Sequence, residues 1–391
     1  MSKILIMSSY YLGAATANGI CAKNIAKQLK QNGHEVFVVC YDKGEAEDNV
    51  YTVTCPDPER KRSLVAKVYG RLQATVTPTL NRSLTDEYTA MSLKLCKEKK
   101  IDVVVGMFFP FETVPVMMAV KKQFPEIRTV IYELDSVGDG IFSGSQYQAL
   151  VNHAIERWSS RQYRYADRVI VMESHEDYWK KTFGKKHGDK LMLADIPVLV
   201  EKPLPQVDKS VEEPISFLYG GLIEQAYRSP DHLLAVFEEY SKAEPATLDF
   251  FSKGDCEAKI AETAKRVSGI RQNGYVPEAV LDEAIAKADV LVSIGNRFSR
   301  SVPSKLLTYL SYGKPVVHIS LQKDDVCAHY LEQYPLGLVL YAWDFVEENA
   351  KKLEQFTKEN RHKTVGFTEV ATALVKNNPA YSARLIINDV I

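Results

Sequence analysis

No window of this 391-residue chain reaches the ~18 consecutive apolar residues that a bilayer-spanning helix needs. The opening run, MSKILIMSSYY, is too short for a secretory signal and has no small-residue cleavage site. Six cysteines (Cys21, Cys40, Cys55, Cys96, Cys256, Cys327) are scattered without a CxxC pair, which argues against a disulfide framework and for reduced, mostly buried thiols. Neither charge sign dominates, with 49 Lys plus Arg against 50 Asp plus Glu and a net charge of -1. That balance gives no global attraction to nucleic acid or to an acidic membrane, so no nucleic-acid partner is expected. These absences point to a cytoplasmic protein. Local basic stretches such as KRSLVAKVYGRLQATVTPTLNR (residues 61–82) leave peripheral contact with the inner face of a membrane open, although a solvated helix face is the simpler reading.

The common catalytic signatures are missing too. GxGxxG is absent from the first strand-to-helix turn, and no GxxxxGK[ST] phosphate loop, HExxH pair or GxSxG elbow occurs. A Rossmann dehydrogenase, a P-loop NTPase, a zinc hydrolase and an α/β-hydrolase are thereby disfavoured. No cofactor is expected.

What is present is alternation. KILIMS is an apolar, β-branched run of the kind buried on both faces of a parallel sheet. A loop with Gly13, Asn18 and Gly19 follows, then a helix with Ile20, Ile25, Ala26 and Leu29 on one face, closed by Gly33. HEVFVVCY is a second buried strand. The pattern resumes with a helix over 84–98, the strand IDVVVGMF, a helix near 112–123, the strand RTVIYELD, a long amphipathic stretch and ADRVIVMES. Residues 196–214 carry four prolines without a sustained period and mark a domain boundary. Beyond it the alternation restarts with SFLYGG, ATLDFFSKG, IRQNGYV, DVLVSIGN and PVVHISL, and closes with helices near 345–358 and 367–387. The reading is α/β, two doubly wound halves of similar size with ligands bound in a cleft between them.

Within the second half, buried strands run into glycine or small polar residues and then into helices. Arg228 stands before Pro230 at one such junction, and Lys305 follows Pro303 and Ser304 at another. Pro303 pre-sets a first helical turn, Ser304 can cap it, and Gly313 and Pro315 end the helix. A lysine in a first turn runs against the helix dipole unless an anion lies there. Two separated cations suit a diphosphate better than a single carboxylate, while each alone reads equally as a solvated surface charge. Asp135 and Asp139, with Glu133, follow the strand RTVIYELD and can serve an acceptor hydroxyl or cap a helix.

These pieces resemble the GT-B glycosyltransferases, most closely the family-4-like retaining enzymes of bacterial surface-polysaccharide synthesis. The resemblance runs over nearly the whole chain. KILIMSSYY, the Asn18-Gly19 turn and IAKQLKQNGHEVFVV look like that family's first strand, glycine turn and second strand. YGGLIEQAYRSPDHLLAVF is similar to its phosphate-binding loop and following helix, with Gly220, Gly221 and the basic Arg228. NGYVPEAVLDEAIAKADVLVSIGN resembles the base-binding turn and next strand, which places Tyr275, Val276 and Pro277 beside a nucleobase and Asn296 at the strand end. PSKLLTYLSYGKPVVHI carries Pro303, Ser304, Lys305 and Thr308, and is the most specific match.

The resemblance implies a nucleotide-diphosphate sugar donor of UDP or GDP type and a glycan or lipid-linked acceptor. Catalysis would then rest on Arg228, Lys305 and Asp135, without a metal, as the missing DxD motif also suggests. It implies an acceptor domain over residues 1–200 with Asn18, Gly19 and Phe109 facing the cleft. A donor domain would span 201–366, and a final segment, 367–391, would brace the first domain. Tyr10, Tyr11, Phe108 and Phe109 can stack on sugar rings, although core packing serves Phe108 as well. Thr308 stands where the family usually has a glutamate, and the preceding RFSRS segment contains no acid. Two other readings follow: a degenerate chain that binds a nucleotide sugar or a partner transferase without turnover, and a sugar-nucleotide epimerase of the same shape.

Overall fold

The runs KILIM, EVFVVC, VVVGMF, RTVIYE and RVIVM show no polar alternation, and all become central strands of one parallel sheet. The computed structural model describes residues 1–13, 16–41, 44–54, 70–78, 80–108, 110–134, 146–202, 213–297 and 302–387. The chain divides into two units, Met1–Val198 with Lys376–Ile391, and Leu199–Val375.

In the first unit the strands are β1 (Lys3–Met7), β2 (Glu35–Cys40), β3 (Val50–Thr52), β4 (Val103–Phe108), β5 (Arg128–Glu133), β6 (Arg168–Met172) and β7 (Leu191–Ala194). Their order is β3-β2-β1-β4-β5-β6-β7, and every neighbouring pair is parallel. The connecting helices are α1 (Ala17–Gln31), α2 (Arg82–Lys99), α3 (Thr113–Gln123), α4 (Gln146–Tyr163), and the short α5 (Glu176–Lys181) and α6 (Gly184–His187). The core on one face gathers Leu5, Phe37, Val104, Ile131 and Val169 beneath Tyr88, Met117 and Phe183.

The second unit has β8 (Ile215–Ile223), β9 (Ala246–Gly254), β10 (Ile270–Gln272), β11 (Val290–Ile294), β12 (Val316–Ser320) and β13 (Gly337–Tyr341). Its order is β10-β9-β8-β11-β12-β13, again with all pairs parallel. The helices are α7 (Asp231–Tyr240), α8 (Glu257–Arg266), α9 (Glu278–Lys287), α10 (Ser304–Leu310), α11 (Val326–Glu332), α12 (Val346–Asn360) and α13 (Phe367–Ala373). The chain then returns to the first unit as α14 (Pro379–Ile387), which packs against α1. There Ser382 Oγ meets the buried Tyr132 hydroxyl at 2.8 Å, and Arg168 donates to Leu385 O at 2.6 Å.

Both sheets thus follow one winding scheme. The chain starts in the middle, moves outward over three strands, then returns to continue beside the first. The reversal lies between β1 and β4 in the first unit and between β8 and β11 in the second. In open α/β sheets this is where the connections diverge and leave a crevice.

Four expectations are corrected. Asn18 and Gly19 lie inside the first turn of α1 rather than in a loop, because the Thr16 hydroxyl caps the helix by accepting from Gly19 N at 3.1 Å. Gly220 and Gly221 do not begin a loop. They lie within β8, which stays paired with β9 out to Ile223 and Gly254, and the turn comes later. Ser304 is the first residue of α10 and Pro303 its cap, with no side-chain cap bond. Finally, residues 367–387 are not one helix: a 3-10 turn over Val375–Asn377 separates α13 from α14, and Pro379 can open a helix but not continue one.

Candidate functional site

In the second unit, a cavity of about 140 Å³ opens at the β8/β11 reversal. Backbone of Gly220, Gly221 and Leu222 forms one wall, Val292 to Ile294 another, and Pro303, Ser304 and Lys305 a third, with Arg228 and Tyr309 completing it. The glycines are needed by space. A Cβ on Gly220 would come within 3.0 Å of Leu281 and 3.2 Å of the Tyr309 hydroxyl. That buried hydroxyl accepts from Gly220 N at 2.7 Å and donates to Gly220 O at 3.2 Å, so one tyrosine on α10 clamps both polar atoms of the β8 glycine. Burial pushes the phenol far up, and it stays protonated to serve both contacts.

Arg228 reaches the cavity from the turn after β8. Its Nη2 donates to Asn296 Oδ1 at 2.6 Å and its Nη1 to Leu222 O at 3.3 Å, while among the described residues its buried Nε has no hydrogen-bond partner. The guanidinium also lies beside Tyr219, whose phenol burial raises to about 12 against that pull. Lys305 enters from the first turn of α10. Burial lowers its ammonium below the ordinary lysine value, opposed by the charges of Glu278 and Asp282. Asp282 is already engaged, accepting from Tyr312 at 2.6 Å and Lys202 at 3.1 Å. Among the described residues Lys305 has no ion pair. Two cations from separate elements, one with an idle donor and one held half-desolvated, therefore converge on one small cavity.

A positive charge held this way opposes folding. Because the folded-state value of Lys305 lies below 10.5, the unfolded chain binds more protons between the two, and stability rises with pH across that window. Lys305→Met is expected to raise the melting temperature at pH 7 by about 2–4 °C, the equivalent of about 1 kcal/mol. It should also flatten the rise in stability as pH approaches 10.5. Melting curves at a series of pH values check both; a lower melting temperature at every pH would mean that the ammonium is satisfied in place.

The remaining expected donor residues fall differently. Thr308 sits one helical turn on, and its hydroxyl donates back to Ser304 O at 3.1 Å. Tyr275, Val276 and Pro277 do not line the cavity; Pro277 caps α9, and the exposed Tyr275 ring carries the Lys253 ammonium at 4.2 Å on one face. Asn296 acts through Arg228.

The first unit has a second cavity at its own reversal, about 450 Å³, lined by Ser9 and Tyr10 after β1, Tyr41 after β2, Pro110 to Glu112 after β4, and Thr16 to Asn18. Tyr10 and Tyr41 meet edge to face with centroids 5.4 Å apart. Asn18 lines this cavity, whereas Gly19 is buried inside α1. Tyr11 and Phe108 are core residues, 4% and 1% exposed, so they offer no free ring. Phe109 and Asp135 lie outside the described residues.

A third group escapes the sequence reading. His318 on β12, Asp325 capping α11, and Cys327 are all buried, with their donor atoms within 4.8 Å of one another. Burial would raise the Asp325 carboxyl, but hydrogen bonding from His318 and the charge environment hold it below the usual range.

No protein-family model matches the chain. No curated protein matches it either. Solved structures do. Over 99% of its length the chain is similar to WaaG, a glycosyltransferase involved in lipopolysaccharide biosynthesis, covering 100% of that chain with a TM-score of 0.59 and 15% identity. It is similar over 98% of its length to the apo form of the lipopolysaccharide outer core galactosyltransferase WaaB, covering 97% of that chain (TM-score 0.58, 11% identity). The UDP-GlcNAc 2-epimerase from Methanocaldococcus jannaschii aligns over 98% of this chain and 99% of its own, with a TM-score of 0.58 and 11% identity. The fold is the two-domain, Rossmann-like GT-B fold. Identities this low speak for fold alone, and one fold here carries both transfer and epimerisation.

Proposed function

We propose that this chain is a glycosyltransferase that moves a sugar from a nucleotide-diphosphate donor of UDP or GDP type to a glycan or lipid-linked acceptor in cell-surface polysaccharide synthesis. The observation that carries it is the convergence of Arg228 and Lys305 on one cavity at the β8/β11 reversal. Breaking the sugar–phosphate bond leaves negative charge on the departing diphosphate. Preorganised cations in a partly dry site stabilise such charge strongly. The Arg228 guanidinium and the Lys305 ammonium are two such cations, and the Tyr309 clamp fixes the Gly220 backbone that lines the cavity with them. The reaction is read as retaining and metal-independent, on the family resemblance. The acceptor is assigned to the first unit, where Tyr10 and Tyr41 give an aromatic wall and Ser9, Asn18 and Glu112 give polar atoms for sugar hydroxyls.

The test is a thermal-shift panel of UDP, GDP, ADP, CMP and their sugars, followed by mass spectrometry of the stabilising sugar nucleotide incubated with glycan and lipid-linked acceptors. Stabilisation by one diphosphate, lost in Lys305→Met, with sugar gained by an acceptor, is expected. Stabilisation without transfer would favour a non-catalytic nucleotide-binding partner, consistent with the Thr308 hydroxyl being spent on Ser304 O. Conversion of the free sugar nucleotide to an isomer would favour an epimerase. No shift with any nucleotide would sink the donor site.

A further inference from the structure

We infer that the buried His318–Asp325 pair is a positioning element for Arg228, acting through the backbone of Gly295 and the side chain of Asn296. The inference rests on the reading of Arg228 as a diphosphate-binding cation. His318 Nε2 donates to Asp325 Oδ2 at 2.9 Å, and Asp325 Oδ1 accepts from Cys327 N at 2.9 Å, so the carboxylate is held from both sides. Its third neighbour is Gly295, just beyond β11. A Cβ there would lie 2.3 Å from Asp325 Oδ2 and 3.0 Å from His318 Nε2. Gly295 is not among the glycines with positive φ, so its backbone would accept alanine; the buried pair, the carboxylate above all, demands the missing side chain.

The segment seated on that carboxylate is the one that holds Arg228. Gly295 N donates to Ile319 O at 2.9 Å, which ties the segment to β12 next to His318. Asn296 Oδ1 then accepts from Arg228 Nη2 at 2.6 Å, and Arg297 N donates to Tyr227 O at 2.8 Å. The turn carrying Arg228 is thus docked on residues 295–297 by one side-chain and one backbone bond. Those residues are in turn set by the pair beneath them. Neither His318 nor Asp325 lines the cavity at the β8/β11 reversal; they act by fixing where Asn296 presents its oxygen. A buried pair of this kind is rigid because both partners are desolvated and the carboxylate is held from both sides.

The test compares wild type with Gly295→Ala and Asp325→Asn. Asparagine is an equally good helix cap, so the second variant keeps α11 if the first fails to fold. Affinity for inorganic pyrophosphate, UDP and GDP is measured by calorimetry, and crystal structures of the variants give the Arg228 Nη2 to Asn296 Oδ1 distance. The expected result is about a tenfold loss of diphosphate affinity, the size of one hydrogen bond to a charged group, with the Arg228–Asn296 contact lengthened. Adding the same substitution to Arg228→Ala should cause no further loss. Unchanged affinity with an unchanged contact, or an equal loss in the Arg228→Ala background, would overturn the inference. If wild type binds none of the three, the donor-site reading fails on its own, and the contact in the variant crystals still decides whether the pair positions Arg228.

Discussion

Arg228→Ala is expected to lower the rate of sugar transfer by about 10²–10³-fold, the loss typical of removing one preorganised donor at a site of developing charge. The fall should appear mainly in kcat, because charge on the diphosphate grows as the sugar departs. The guanidinium makes two contacts from two of its nitrogens, to Leu222 O and Asn296 Oδ1. An ammonium has the charge but not the fork, so Arg228→Lys should fall between wild type and alanine. The melting temperature should move little, since the side chain is only partly buried and its partners lie at a strand end. Steady-state kinetics with the donor found by the nucleotide panel, together with melts of the same three proteins, test this. Equal rates for wild type and lysine would show that the fork geometry is irrelevant, and a large loss of stability in Arg228→Ala would recast the residue as structural.

The parts of the fold that could be read in advance share a physical property. β1, β2, β4, β5, β6, β8, β11 and β12 are buried on both faces, so each writes a continuous apolar run. The strands that escaped are β3, β7 and β13, all at the sheet edges. Val50–Thr52 is three residues long and half exposed, Leu191–Ala194 is four, and Gly337–Tyr341 is only partly buried. Edge strands lack the two-sided burial that makes the signal. α11 was missed because its seven residues carry no Pro-Ser start of the kind that marks the equally short α10. The winding order itself, identical in the two sheets, follows from chain connectivity and right-handed crossovers rather than from any residue.

At the site, the cations were legible because a charge beside a strand-to-helix junction breaks a local expectation. Their convergence was only a hypothesis until β8 and α10 were seen to share a cavity. The Tyr309 clamp was hidden, since a tyrosine at a buried helical position reads as packing, and its partner Gly220 lies 89 residues away. The His318–Asp325 pair was hidden for a related reason. One member sits mid-strand, the other in a polar run, QKDD, where a solvated loop is the simpler interpretation. Gly295 gave a weak signal. Its glycine is required by a carboxylate that arrives 30 positions later in the chain, and no local pattern can encode that.

Gly254→Ala should be among the most damaging single-atom-group additions in the second unit, destabilising it by about 3–5 kcal/mol and lowering its melting temperature by about 10 °C. Two effects add. Gly254 has φ +145°, a backbone conformation that a residue with a Cβ rarely adopts. Its Cβ would also lie 1.7 Å from Ile223 O, the atom opposite it at the last rung of the β8–β9 ladder. The carbonyl is backbone and cannot swing aside, so the two strand ends must part. Gly33→Ala isolates the first effect: φ is +82° there, but nothing lies within 4 Å, and only about 1 kcal/mol is expected. Equal melting temperatures for the two variants would show that the strand ends are not packed as described. The consequence should reach the site as well. The residue after Gly254 is Asp255, which accepts from Gln225 N at 2.8 Å and so anchors the turn that leads to Arg228. Parting β8 from β9 loosens that anchor, and diphosphate affinity in Gly254→Ala should fall even below its melting transition, whereas Gly33→Ala, in the other unit, should bind as wild type does. Calorimetry on the folded variants at 15 °C separates a loosened turn from a partly unfolded population, because only the latter recovers affinity as the protein is cooled.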